Sequence, residues 1–441
     1  MPATPFDSLH LSALFTTGDT GRLFSDSAEI RAMMLVHGSL ALAQADAGVI
    51  PMESAKAIQR ASLELQIDPA GLAASCGQNG VTVPGLVDSF RKNLQAPEHG
   101  QYLHWGATSQ DIQDTGLMLR MKRALGQMQD NLRAILAALA ALADQHAETP
   151  MAARSYGQHA TPTSFGAMVA SWGWPLLDAL QAVPDLRRDT LLVSLAGASG
   201  TASELGPDPA ALRAALAEKL GLGDPGRSWH SDRTPILKQA DWMTRVSMAL
   251  GKLGEDLILA TQSGQSEITL GGAGGSSTMP QKQNPVGPSA LVALARHVQG
   301  LNATLQGAGL HRQQRDGAAW FTEWLTFPQL VQSTASALTH GKTLAEGMHP
   351  NTDAMQRALD NTGGLILAEA LSFALAAKMP RPQAQAAAKA LCLEAREKGL
   401  PLADLSRAAH PDLPADLFEM ERQMGIAPDE ARNFAAAVRA L

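Results

Sequence analysis

Apolar positions recur through the middle of the chain at helical spacing. Leu117, Met121, Ala124, Leu125, Met128, Leu132, Ile135, Leu136, Leu139 and Leu142 step by threes and fours and mark one face. Trp242, Val246, Ala249, Leu250, Leu253, Leu257 and Ala260 repeat the pattern, as do Val292, Leu294, Val298, Leu301 and Leu305. The prolines leave room for it. None falls between Pro97 and Pro150, Pro235 and Pro280, Pro288 and Pro328, or Pro350 and Pro380. Interior proline breaks a helix, so these gaps are where long helices fit. Thr115 to His146 as one helix would span ~48 Å at the helical rise. A further helix is expected to open at Asp26-Ser27-Ala28-Glu29, which resembles a capping box, and to run to about Gly48-Val49-Ile50-Pro51. Strand signals are nearly absent; Thr190-Leu191-Leu192-Val193-Ser194-Leu195 is the one plausible short strand, and it reads equally as a buried helix turn.

The pattern predicts an all-α fold in three parts. Pro51, Pro69, Pro84 and Pro97 cut residues 1–105 into a helical N-terminal domain of short pieces. Residues 106–350 hold a central bundle of long helices, and residues 351–441 form a C-terminal domain of short helices. Apolar stripes of this length call for partner helices and point to an oligomeric bundle.

Composition narrows the function. With 441 residues, 45% of them hydrophobic and 17% charged, the chain can bury a large core, which excludes disorder. A net charge of -7 and 4% aromatic residues offer neither a basic field nor stacking platforms, so a nucleic-acid partner is not expected. Cys76 and Cys392 are single and far apart, giving no disulfide framework or CxxC pair. The N-terminal MPATPFDSLH has no signal-peptide pattern, and no apolar run reaches the ~18 residues of a membrane span. A cytoplasmic protein without a membrane partner is expected.

Chemistry concentrates in Gly271-Gly272-Ala273-Gly274-Gly275-Ser276-Ser277-Thr278-Met279-Pro280-Gln281-Lys282-Gln283-Asn284-Pro285. The glycines allow a mobile loop whose backbone can approach a ligand. Asn284-Pro285 reads as N-cap and first residue of the following helix, whose N-terminus and the Lys282 charge both favour an anion. No Gly-Lys-Ser/Thr ends the run, so it is not a P-loop. The picture is a lid that clamps a carboxylate and presents a serine; the bland reading is a plain glycine-rich connection. Thr108-x-x-Asp111 is a capping box by pattern, with or without carboxylate binding by Thr108 and Ser109. His104 can be structural or ligand-binding, and Arg315-Asp316 can be site rim or salt bridge. His297 and His311 have no metal-ligand spacing, so no metal is expected.

GSSTMPQKQNP resembles the signature loop of the fumarase/aspartase superfamily. His104-Trp105-Gly106-Ala107-Thr108-Ser109-Gln110-Asp111 and Arg154-Ser155-Tyr156-Gly157-Gln158-His159 resemble two further shared segments, in the expected order. Fainter likeness runs through Gly197-Ala198-Ser199-Gly200, Trp229-His230-Ser231-Asp232-Arg233 and Trp320-Phe321-Thr322-Glu323-Trp324. Within the superfamily the form is closest to the 3-carboxymuconate cycloisomerases. The resemblance implies an enzyme that moves a proton alpha to a carboxylate on a small di- or tricarboxylate, without a cofactor. It implies Ser276 as general base, with Lys282 and Asn284 stabilising the enolate. It implies substrate contacts from His104, Thr108, Ser109, Tyr156, Gln158, His159, Ser277, Met279 and Arg315. It also implies a homotetramer in which motifs of different subunits complete each site. Gln281 and Gln283 depart from relatives that carry histidine and arginine. Tyr156 stands where adenylosuccinate lyases have a histidine acid; a phenol, with a pKa near ~10, is a poor acid at neutral pH but a good hydrogen-bond donor. A carboxylate leaving group needs no acid, which favours cycloisomerisation over a substituted-succinate lyase or a catalytically silent helical oligomer.

Overall fold

A computed structural model describes residues 4–272, 274–275, 278–279 and 281–441. The all-α expectation holds. The helices that matter for the site are α1 (Asp26–Asp46), α2 (Val83–Leu94), α3 (Ser109–Gln145), α4 (Thr234–Ala260), α5 (Val286–Gly307) and α6 (Gly317–Gly347). None among the described residues is long and apolar enough to cross a membrane.

The periodic faces are the buried ones. On α3, Met121, Leu125, Leu132, Ile135, Leu136 and Leu139 are fully buried. At the two ends the stripe shifts by one residue: Met118 and Ala143 are buried, while Leu117 and Leu142 are half-buried. The helix also starts earlier than Thr115, because the chain turns into it at Thr108. The opening of α1 is likewise corrected by one residue. Ser25, not Asp26, is the N-cap, and its hydroxyl accepts from the Ala28 amide. Proline proves less disruptive than expected: α6 runs through Pro328. Phe327, Leu330 and Val331 beside it are fully buried, so packing offsets the missing hydrogen bond.

The chain forms two compact units. The first comprises Met1–Asn131, Ala179–Met248 and Leu294–Thr339; the second comprises Leu132–Asp178, Ala249–Ala293 and His340–Leu441. Each of α3, α4, α5 and α6 supplies residues to both. In the first unit, Val36 and Leu40 of α1, Leu86 and Phe90 of α2, and Leu103 and Ile112 pack into one core with Val193 and Leu216. In the second, the C-terminal helices bury Leu371, Leu375, Ala388, Leu391 and Leu402 together.

The strand reading is overturned. Thr190 ends a helix, Val183–Thr190, and the chain after it makes only a single bridge, Leu192 to Gly223. The strands lie instead in the second unit. There β1 (Pro150–Ser155) and β2 (Gln158–Ser164) form an antiparallel hairpin, and β3 (Ile268–Leu270) pairs with β4 (Met348–Pro350). A register irregularity between Ala152 and Arg154, and prolines at 150 and 162, erase the alternation that would have revealed the hairpin.

Candidate active site

In the first unit, a tight turn precedes α3. Gly106 has φ +68°, and a Cβ there would sit 2.4 Å from the Glu204 carbonyl oxygen, so only glycine fits. The turn delivers Thr108 as N-cap, and its amide donates to Asp111 Oδ2 at 3.1 Å, the reciprocal half of a capping box. Asp111, fully buried, does more than cap. Its Oδ1 accepts from the Ala196 amide (2.9 Å), the Ser194 hydroxyl (3.2 Å) and His230 Nε2 (2.7 Å), and its Oδ2 accepts from the Gly197 amide (2.9 Å). The segments at 104–115, 194–200 and 229–233 are thus drawn onto one carboxylate.

A second buried knot lies one helical turn further along. Arg233 donates to both oxygens of Asp114 (2.7 and 2.9 Å) and to both of Glu323 (2.9 and 2.8 Å), and its guanidinium lies 4.8 Å from the Trp229 ring centre. Burial works against the Arg233 charge, but Asp114 and Glu323 together hold its pKa above the ordinary value. Burial raises the Glu323 pKa, with Arg233 pulling the other way. Gln110 donates to Asp114 (3.2 Å) and to the His230 carbonyl (2.9 Å), and its Oε1 accepts from Arg315 Nε at 2.8 Å. Arg315 also donates to the Ala198 carbonyl (3.2 Å), while the salt bridge belongs to Asp316, whose partner is Arg312 at 2.5 Å. Arg315 therefore stands beside the first segment, with half-buried His104, Thr108 and Ser109.

His104 has φ +65°, and its Nδ1 lies 3.2 Å from Nε2 of His37 on α1. Burial lowers the His104 pKa to about 4, with Asp111 opposing and Arg91 adding to the effect. Burial, with His104 adding, lowers that of His37 to about 3. Sequence reasoning passed over His37, although a histidine within the apolar Met33-to-Leu42 run was a signal that could have found it.

In the second unit, Tyr156 and Gly157 form the two-residue tip of the hairpin, with φ of +52° and +72°. Two successive positive φ values suit the right-handed twist of a hairpin. Tyr156 is fully exposed, and Gln158 and His159 are exposed beside it. Arg154 at the base of the tip donates to both oxygens of Glu267 at 2.8 Å, and Glu267 is buried. Glu267 immediately precedes β3, which leads into the glycine loop. Arg154 therefore ties the second motif to the root of the third.

The loop closes on itself. The Gly274 amide donates to the Asn284 carbonyl (3.0 Å) and the Asn284 amide to that of Gly274 (2.8 Å). A Cβ on Gly274 would lie 2.5 Å from Val286 Cγ2. Within the closed loop the Lys282 amide donates to the Met279 carbonyl at 3.0 Å, and both side chains are exposed. The helical start shifts by one residue from expectation: Asn284 is in the bridge, and the Pro285 carbonyl accepts the first helical bond, from Ser289 at 3.0 Å. Lys282 still precedes a helix N-terminus by a few residues, where anions are favoured. Ser276 and Ser277 lie outside the described residues.

An all-α chain with long helices, a short hairpin with an exposed tip and a glycine loop running into a helix N-terminus has the architecture of fumarase/aspartase-type lyases. The sequence pattern of the lyase family matches residues 17–300, and the chain belongs to that family. It is 37% identical over 391 residues to 3-carboxy-cis,cis-muconate cycloisomerase of Pseudomonas aeruginosa, across 88% of this chain and 85% of that protein. Its fold matches the crystal structure of the 3-carboxy-cis,cis-muconate lactonizing enzyme from Pseudomonas putida with a TM-score of 0.91 and 31% identity, covering 98% and 99% of the two chains. A nitrosuccinate lyase of Streptomyces davaonensis is 33% identical over 431 residues, across 92% of this chain and 89% of that one.

Proposed function

We propose that this protein interconverts 3-carboxy-cis,cis-muconate and a carboxymuconolactone, a step in aromatic-acid breakdown, in the cytoplasm. One carboxylate oxygen of the diene adds to a conjugated double bond. The displaced π electrons move to the carbon alpha to a second carboxylate and onto that carboxylate as an enolate. A proton delivered to the alpha carbon completes the lactone. No cofactor is needed, because the electron sink is the substrate's own carboxylate.

The observation that carries this reading is likeness to cycloisomerases across nearly the whole chain, together with Tyr156 at the hairpin tip. A hydroxyl there can hold a carboxylate but does not supply the acid that an amine leaving group requires. We assign Ser276 as the group that moves the alpha proton, with Lys282 and Asn284 stabilising the enolate. Ser277, Met279, His104, Thr108, Ser109, Gln158, His159 and Arg315 are assigned to substrate binding.

We divide the chain at residues 105 and 350, which puts the motifs from Gly106 onward in the central helical bundle and His104 at the edge of the N-terminal helical domain. The assembly we propose is a homotetramer in which motifs from different copies complete each site. Two facts support it. The hairpin tip bearing Tyr156, Gln158 and His159 is exposed, and Met248, Leu259 and Leu325 on the long helices are at least half exposed in a single copy.

A second reading, a lyase acting on a substituted succinate, is favoured by the nitrosuccinate lyase relative and by Gln281 and Gln283. Steady-state comparison of kcat/KM for 3-carboxymuconate, nitrosuccinate and adenylosuccinate separates the two. Loss of diene absorbance, with 3-carboxymuconate as the best substrate, is expected. A substituted succinate preferred by more than about 10-fold, ~1.4 kcal/mol of transition-state preference, would install the lyase reading instead.

A further inference from the structure

Both ring nitrogens of His37, which is 1% exposed, are engaged. Its Nδ1 lies 2.9 Å from the Met33 carbonyl oxygen. A carbonyl only accepts, so this nitrogen carries the hydrogen, and in a neutral imidazole Nε2 is then a lone pair. That lone pair faces His104 Nδ1 at 3.2 Å. His104 must therefore donate from Nδ1, which leaves its own Nε2 as a lone pair. The charged groups facing the pair are Arg91 from α2 and Asp111 from α3. Arg91 is held by the Gly100 and Leu103 carbonyls, both at 3.1 Å. Burial keeps both rings neutral near pH 7, with Arg91 adding to the effect.

A carboxylate cannot rest against a lone pair without a proton between them. We propose that His37 is a positioning residue that fixes the Nδ1–H tautomer of His104, so that a substrate carboxylate docking at His104 takes one proton from solution. The proton is shared between Nε2 and a carboxylate oxygen while the ligand is bound, and it returns to solvent on release. No substrate bond breaks in this step. The free site is uncharged at this point and becomes cationic only when an anion arrives. The inference rests on the assignment of His104 to the substrate.

The test uses the full-length enzyme and butane-1,2,4-tricarboxylate, the saturated counterpart of the tricarboxylated diene. Calorimetric titration near neutral pH, in buffers of different ionisation enthalpy, reads the protons exchanged on binding. Uptake of about one proton per site is expected for the wild type. In His37→Leu, where the His104 hydrogen can move to Nε2 and donate directly, binding should persist with uptake near zero. Nitrogen-15 spectra of histidine-labelled, unliganded enzyme should place the His104 lone pair on Nε2. Binding without proton uptake in the wild type overturns the proposal, as does a hydrogen on Nε2 of the free enzyme. Failure of the tricarboxylate to bind would instead remove His104's assignment to the substrate, and the spectra would still decide the tautomer.

Discussion

Five hydrogen bonds converge on the Asp111 carboxylate, from Thr108, Ser194, Ala196, Gly197 and His230. A fully buried carboxylate is tolerable only when satisfied in this way. The result is that Thr108 and Ser109 emerge at the start of α3 in one orientation. At this scale the proposed reaction chemistry is assigned to Ser276. A serine hydroxyl is a weak base at neutral pH and needs donors and a cation near it, and Lys282 is six residues away on the same loop. Ser276→Ala is expected to lower kcat by at least ~10³-fold without changing helical content by circular dichroism. Wild-type turnover in that variant would reject the assignment, and a selective loss in Ser277→Ala would move it by one residue. The serine can be proposed from sequence because a short motif carries it. His37 is not, because its meaning depends on a partner far along the chain.

Among the elements, the knot at Arg233 joins α3, through Asp114, to α6, through Glu323. Two buried carboxylates share one guanidinium that is itself fully buried. Arg233→Met removes the positive charge that Asp114 and Glu323 share and strands both acids, so a loss of ~3–5 kcal/mol is expected in urea denaturation. Adding Asp114→Asn and Glu323→Gln should recover part of it. A loss below ~1 kcal/mol in the single variant would show that the knot contributes little to stability. The Arg154–Glu267 pair plays a comparable role between the hairpin and the loop, and Glu267 is the buried partner. The helices were readable because their period is written in consecutive residues. The hairpin was not, since its register is irregular, prolines stand in both strands and its tip is exposed.

For the whole molecule, the proposed tetramer makes a prediction that one chain cannot satisfy alone. Activity should follow the assembled form, and dilution or mild denaturant that dissociates it should abolish turnover. Light scattering coupled to assay checks this; an active monomer near 46.4 kDa would refute the composite site. The apolar stripes of α3 and α4 argue for partners but do not define them, because their most buried positions are already covered within the chain.

The sequence by itself determined the helical class, the long central helices, the glycine loop with Lys282, and the likeness that placed the chain in its family. These are local properties: a period of 3.6 residues, a run of glycines, a motif a dozen residues long. Tertiary structure decided what holds the segments in place. His37 meets His104 across 67 positions, Arg233 meets Asp114 across 119, and Arg315 meets Gln110 across 205. Separations of that size leave no periodic or motif signal, and only burial makes such contacts decisive. An imidazole's tautomer and a guanidinium's pairing are set by which donor or acceptor faces them where water is excluded.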